Sequence, residues 1–124
     1  MKNFAAIMIL MAVISTAMVF AKRAAPARVA AIRIGEMELR APTSQLGCVE
    51  AWDTKHNELL WRRQIYVVRY TAGLERDVQD IFIRSMALKD NVLTVTNENQ
   101  SEYLLESETL EVRVNKGALI EGKK

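Results

Sequence analysis

The stretch MALKDNVLTV, residues 86–95, decides the fold, because apolar and polar residues alternate on both sides of an Asp-Asn pair. Asp and Asn tolerate positive φ, so the pair predicts a two-residue hairpin turn at 90–91. Side chains alternate between the faces of a strand, and this turn sets Leu88 opposite Leu93 on one face. Phe82 is expected to continue the same apolar stripe.

The stripe extends through the residues that follow the first hairpin. A turn at 98–100 sets Val95 opposite Tyr103, and a four-residue loop then sets Leu105 opposite Val112. Four antiparallel strands therefore share one apolar face, which a second layer must cover. The sequence predicts an all-β fold, a small antiparallel meander or sandwich of six or seven strands.

The first half of the chain supplies the expected cover. A turn at 54–57 pairs Asp53 with Glu58, and counting back along both strands sets Glu50 opposite Trp61. Apolar side chains then lie on both faces of this hairpin, which predicts burial on both sides.

The chain has 124 residues and 17 Lys+Arg against 15 Asp+Glu, which suits one small domain. Residues 1–21 have a basic start and a long apolar run, typical of a signal peptide, or of a membrane anchor if they are not cleaved. We expect a flexible linker at 22–30, the antiparallel β domain at 31–115 and a polar C-terminal tail at 116–124. A helical turn near 74–80 is expected inside the β domain.

A resemblance to a known repeat lies in the first hairpin. Ala51, Asp53 and Trp61 match the repeat of quinoprotein-type (PQQ-like) β-propellers, and Asn57 stands where that family has glycine. Residues 102–114 resemble the same repeat more weakly, at an offset of 53 residues. The chain also resembles small exported bacterial proteins of uncharacterised role. The resemblance implies a hairpin that docks an aromatic side chain, and it carries no catalytic or cofactor-binding residue. A closed propeller needs at least four blades of about 40 residues, so one chain of this length cannot form it.

Candidate catalytic groups are few. Cys48 and His56 are the only cysteine and histidine, and the hairpin places them about 16 Å apart, too far for a nucleophilic pair. Neither metal-ligand spacing nor a glycine-rich phosphate loop is found, so no metal and no cofactor is expected. A ligand-binding or hydrolytic site built from Glu50, Asp53 and Arg62 remains the alternative.

The sequence therefore favours a small exported protein, periplasmic or secreted, that is not an enzyme and acts as a structural or protein-interaction module. The candidate interaction surface comprises Trp52, Trp61, Tyr66 and Tyr70. The partner is a protein whose identity the sequence leaves open. Nucleic acid is not expected because the net charge is only +2. Membrane contact is expected only through the N-terminal segment, if it is uncleaved.

Overall fold

A computed structural model describes residues 25–122, and in these the fold is all-β. The leader predicted at 1–21 and the first linker residues lie outside this range. The strands and the short helix of this described range are, in chain order, β1 (Ile32–Ile34), β2 (Met37–Arg40), β3 (Cys48–Asp53), β4 (Glu58–Gln64), β5 (Val67–Val68), α1 (Arg76–Gln79), β6 (Ile83–Lys89), β7 (Val92–Asn97), β8 (Glu102–Glu106), β9 (Val112–Lys116) and β10 (Ile120–Glu121). Three of the ten strands have only two or three residues, which accounts for the excess over the expected six or seven.

The second sheet, ordered β6-β7-β8-β9, is the predicted meander. Its registers are confirmed, with Leu88 opposite Leu93, Val95 opposite Tyr103 and Leu105 opposite Val112. The prediction for Phe82 is wrong. The register of β6 shifts between Ile83 and Ser85. This irregularity changes the parity of the strand, so Ile83 is buried where Phe82 was expected.

The first sheet is ordered β1-β2-β3-β4, and its central hairpin differs from the expectation by one residue. Asp53 lies opposite Glu58 as predicted, but the register shifts between Ala51 and Trp52. Leu60 is the extra residue in β4, and beyond it Glu50 lies opposite Arg62 rather than Trp61. A β-bulge thus brings a carboxylate beside a guanidinium.

A short parallel pair joins the two halves of the chain. Residues 120–121 of β10 pair with residues 67–68 of β5, and the backbone N–H groups of Val67 and Arg69 donate to Leu119 and Glu121. Gly117 makes the turn into β10 at φ +96, and a Cβ there would lie 2.2 Å from Ser101 Oγ. The segment expected to be a polar tail therefore contains a strand and a buried residue, Glu121.

Both sheets contribute to one hydrophobic core. Leu39, Val49 and Ala51 enter from the first sheet, and Leu93 and Leu105 enter from the second. All five are fully buried. Because each sheet covers the apolar face of the other, the architecture is a small sandwich.

Two tyrosines stack at the centre of this core. The rings of Tyr66 and Tyr103 lie 5.2 Å apart at an interplanar angle of 10°. Tyr66 donates its hydroxyl hydrogen to the backbone oxygen of Ile81. Burial is the largest cause that raises the pKa of both phenols, so both stay neutral donors at ordinary pH.

The predicted helical turn is confirmed as α1. Gln79 is its only buried residue, and the Gln79 amide accepts from Thr71 N–H and donates toward the backbone oxygens of Thr71, Leu74 and Glu75. One buried amide thus organises the whole connector between β5 and β6.

Candidate functional site

A ladder of charged and aromatic side chains crosses the outer face of the first sheet. Arg62 donates to Glu50 Oε2 from Nε at 2.7 Å and from Nη2 at 2.6 Å, and the indole of Trp52 donates to Glu50 Oε1 at 3.0 Å. Arg40 lies 5.0 Å over the Trp52 ring and also binds Glu38 at 2.6 Å. Glu50 is only 4% exposed, so its charge is neutralised and enclosed. Such a carboxylate is poorly placed to accept a proton from a substrate.

Asp53 lies at the tip of the β3–β4 hairpin, where it binds other partners than Glu50 does. Its carboxylate accepts from the backbone N–H groups of Lys55 and His56, and the His56 ring lies 2.8 Å from it. These hydrogen bonds, led by the one from the His56 side chain, lower the pKa of Asp53. Asp53 and Glu50 are therefore tied to separate partners, and the structure does not bring them together as a carboxylate pair.

Cys48 lies at the opposite end of β3 from this tip. It is 5% exposed, and its thiol donates to Gln64 Oε1 at 3.3 Å. Burial raises the pKa of the thiol, which disfavours the nucleophilic thiolate. His56 is exposed and bonded to Asp53, so these two residues contact different groups.

The residues of the propeller-like motif hold the hairpin in shape. Asn57 adopts φ 54, the left-handed conformation expected at that position. Ala51 is fully buried opposite Trp61, which packs against the core. Leu110, which lies 53 positions after Asn57 in residues 102–114, also has a positive φ, 63. The backbone oxygen of Leu110 accepts from Arg63 Nε at 2.8 Å, so the two hairpins are linked directly.

The four aromatic residues of the predicted interaction surface are placed in four different environments. Tyr66 is 2% exposed in the core, so the prediction of a surface contact is wrong for this residue. Trp52 is half-buried within the charged ladder, and Trp61 packs against the core. Tyr70 donates to Asp80 and lies 4.0 Å below the Arg76 guanidinium. Each of these rings is therefore held by contacts within its own chain.

Most of the exposed large apolar side chains of the described residues lie in other parts of the structure. Five of the nine exposed large apolar residues of the described chain lie on β4 or on the β5–β10 pair with its flanking loop: Leu59, Leu60, Val67, Leu119 and Ile120. Three of them, Val67, Leu119 and Ile120, line a groove of about 270 Å³ together with Arg63, whereas Leu59 and Leu60 lie outside this groove. Sequence analysis missed Val67, Leu119 and Ile120, because two-residue strands are too short to show a period.

A polar cluster holds β10 beneath this groove. Asn97 donates to Glu121 Oε1 at 2.8 Å, and the Tyr103 hydroxyl lies 3.1 Å from the same oxygen. Asn99 donates to the backbone oxygen of Gly122. Burial of Glu121 opposes its ionisation, but the hydrogen bonds from Asn97, Ser101 and Tyr103 outweigh burial and lower its pKa. A buried carboxylate, rather than apolar packing, therefore fastens β10.

A wider cleft of about 590 Å³ separates the N-terminal segment from β2. Pro26, Arg28 and Val29 form one wall, and Arg40 and Pro42 belong to the other. Arg40 is already paired with Glu38, so these two charges of the cleft are neutralised by each other.

Within residues 25–122, no group of three His, Cys, Asp or Glu side chains is placed to hold a metal ion. No helix in this same part of the chain combines the length and apolar character needed to cross a membrane. Comparison with protein-family models and with curated proteins gives no match to the chain.

Proposed function

We propose that this chain is an exported, non-catalytic β-sandwich that acts as a structural or protein-interaction module. The observation that carries the proposal is the set of exposed apolar side chains, Val67, Leu119 and Ile120, that line one groove at the β5–β10 pair. Scattered apolar residues are normal on a protein surface, whereas a contiguous set beside a groove is typical of a protein contact. Export is supported by the apolar run in residues 1–21 and its basic flank.

The bonding of the carboxylates supports a non-catalytic role. Glu50 is bound by Arg62 and Trp52, and Asp53 is bound by the hairpin tip. The alternative, an enzyme or ligand-binding protein that uses Glu50, Asp53 and Arg62, needs these bonds to break before a substrate can be engaged. That requirement leaves it the weaker hypothesis.

A pair of site-specific photo-crosslinkers tests the interaction surface. The full chain is expressed with export, carrying the photoreactive residue at Ile120, which is 52% exposed, or at Leu74, which is 61% exposed and lies in the connector. We expect a discrete crosslinked protein from position 120 and not from position 74. Equal products from both positions, or none from position 120, would contradict the proposal.

Export is tested on the same preparation. N-terminal sequencing of the purified protein is expected to show a chain that starts after the apolar run. A chain that still begins at Met1 would refute the cleaved signal and favour the membrane anchor.

A further inference from the structure

β4 is an edge strand whose free side has no partner in the part of the chain that is described. It lies at one end of the order β1-β2-β3-β4. An edge strand directs alternate backbone N–H and C=O groups away from its single neighbour, and these groups can pair with a further strand. Among the four edge strands of the two sheets, β4 has two exposed large apolar side chains, Leu59 and Leu60. Edge strands β1 and β9 have one each, and β6 has none.

When the β4 strands of two copies lie antiparallel, the charged residues of one strand are complementary to those of the other. Glu58 lies at its start and Arg63 near its end. A two-fold axis between Leu60 and Trp61 sets Glu58 of each copy opposite Arg63 of the other. The carboxylate of Glu58 is exposed and has no hydrogen bond or ion pair with any residue in the described range. Arg63 uses Nε and Nη1 within its own chain, which leaves Nη2 for this carboxylate.

The bulge makes this register geometrically consistent. Residues that lie opposite each other in one continuous sheet share a face. Glu58 and Arg63 are five residues apart, which would place them on opposite faces of a regular strand. Their partners on β3 are Asp53 and Val49, four residues apart and therefore on one face. The extra residue in β4 thus places Glu58 and Arg63 on the same face, as the two-fold pairing requires.

The direction of the backbone groups agrees with the same register. Ile65 N–H donates to Gly47 O on the β3 side at 2.8 Å. By alternation, Arg62 directs its N–H to the free side, and so does Leu59 on the far side of the bulge. The two-fold register sets Leu59 opposite Arg62 of the second copy, which is the pairing in which both residues exchange backbone hydrogen bonds.

We propose that two copies of this chain associate by antiparallel pairing of their β4 edges, forming one continuous eight-stranded sheet. Leu59 and Leu60 of each copy are then covered by the other copy, and Glu58 pairs with Arg63. This inference deepens the proposed function of a protein-interaction module and rests on it, because it names a second copy as one partner, bound at the β4 edge. Six or seven residues from each chain form a contact smaller than the roughly 1,600 Å² of a stable complex, so the association is weak and depends on concentration.

Sedimentation of the protein purified from expression of the full chain tests the association, over a wide range of concentration. The wild type is expected to shift from monomer to dimer as concentration rises. Leu60→Lys places like charges beside the axis and is expected to abolish the shift. Leu119→Lys alters an equally exposed residue, 51% in both cases, and is expected to leave the shift unchanged. Circular dichroism confirms that both variants are folded.

Disulfide formation tests the register. Cysteine at position 60 lies next to its counterpart across the axis, within disulfide range. We expect Leu60→Cys to form a crosslinked dimer and Ile34→Cys, on the opposite edge of the same sheet, to form none. A monomeric wild type at every concentration, or dimers that both lysine variants retain, overturns the inference. If the wild type stays monomeric while the crosslinker at Ile120 still captures a protein, self-association fails and the proposed function stands.

Discussion

Replacing Glu121 by alanine tests whether a buried carboxylate fastens β10. The substitution leaves the Asn97 amide, which is fully buried, without its acceptor. An orphaned buried donor costs about 1 to 3 kcal/mol. The Tyr103 hydroxyl loses less, because it also bonds the backbone oxygen of Ala118. The expected loss for Glu121→Ala is therefore about 2 kcal/mol in the free energy of unfolding.

Urea unfolding measures this loss, and hydrogen exchange locates it. The amides of Val67 and Arg69 donate to the β10 segment, so they should exchange faster in Glu121→Ala than in the wild type. Glu111→Ala is the matched control, because Glu111 is exposed and its carboxylate has no partner among residues 25–122. Unfolding free energies that are the same for Glu121→Ala and Glu111→Ala would refute the role assigned to the carboxylate.

The pH dependence gives an independent measure. The pKa of Glu121 is lowered in the folded protein, so its contribution to stability is fully present above the unfolded pKa and is lost as pH falls through the folded pKa. Glu121→Gln keeps an oxygen acceptor and removes the titration. We expect the stability of the wild type to fall more steeply than that of Glu121→Gln as the solution is acidified. Parallel curves would show that Glu121 does not titrate between the two states.

Three further predictions concern the hairpins and the buried thiol. Arg62→Met should lower the free energy of unfolding in urea by about 2 to 3 kcal/mol, because it leaves the Glu50 carboxylate buried without its cation. Adding Glu50→Gln to the same chain should recover most of this loss. A double variant that is less stable than Arg62→Met alone would contradict the prediction. Gln100→Gly should raise stability by about 0.5 to 1 kcal/mol, because Gln100 is exposed at φ 67, and a lower melting temperature would argue against it. Cys48 should react with thiol reagents far more slowly in the folded than in the unfolded protein, since burial raises the pKa of the thiol and limits access; equal rates would exclude this protection.

The second sheet could be predicted because its apolar residues keep one parity through three turns. Asp90 and Asn91 both adopt positive φ, as the turn chemistry requires, and Leu93 and Leu105 meet as expected. When apolar residues alternate with polar ones at a period of two along every strand, only one pairing register buries all the apolar side chains on one face.

The bulge in β4 could not be predicted, because it leaves no trace in residue type. Leu59, Leu60 and Trp61 are all apolar, so a slip of one residue keeps apolar groups on both faces. The position of Glu50 beside Arg62 depends on that slip, and with it the whole charged ladder. The sequence therefore does not show that Glu50 meets Arg62 while Asp53 binds the hairpin tip instead.

The burial of Tyr66 could not be predicted for a related reason. Alternation ends where β4 ends, because the backbone oxygen of Gly47 accepts from the N–H groups of both Ile65 and Tyr66. Two consecutive side chains consequently turn inward, and both are 2% exposed. A pattern of period two cannot anticipate this, and the two-residue strands that follow have no period at all.

The parallel pair β5–β10 has a consequence for the order in which the molecule forms. Each hairpin pairs two strands that are consecutive in the chain and closes a small loop. The partner of β5, in contrast, is synthesised more than fifty residues later. Each hairpin can form as the polypeptide emerges, but the β5–β10 pair can form only after β10 has been synthesised. Glu121 arrives with β10, so the polar cluster that it forms with Asn97 and Tyr103 is completed last.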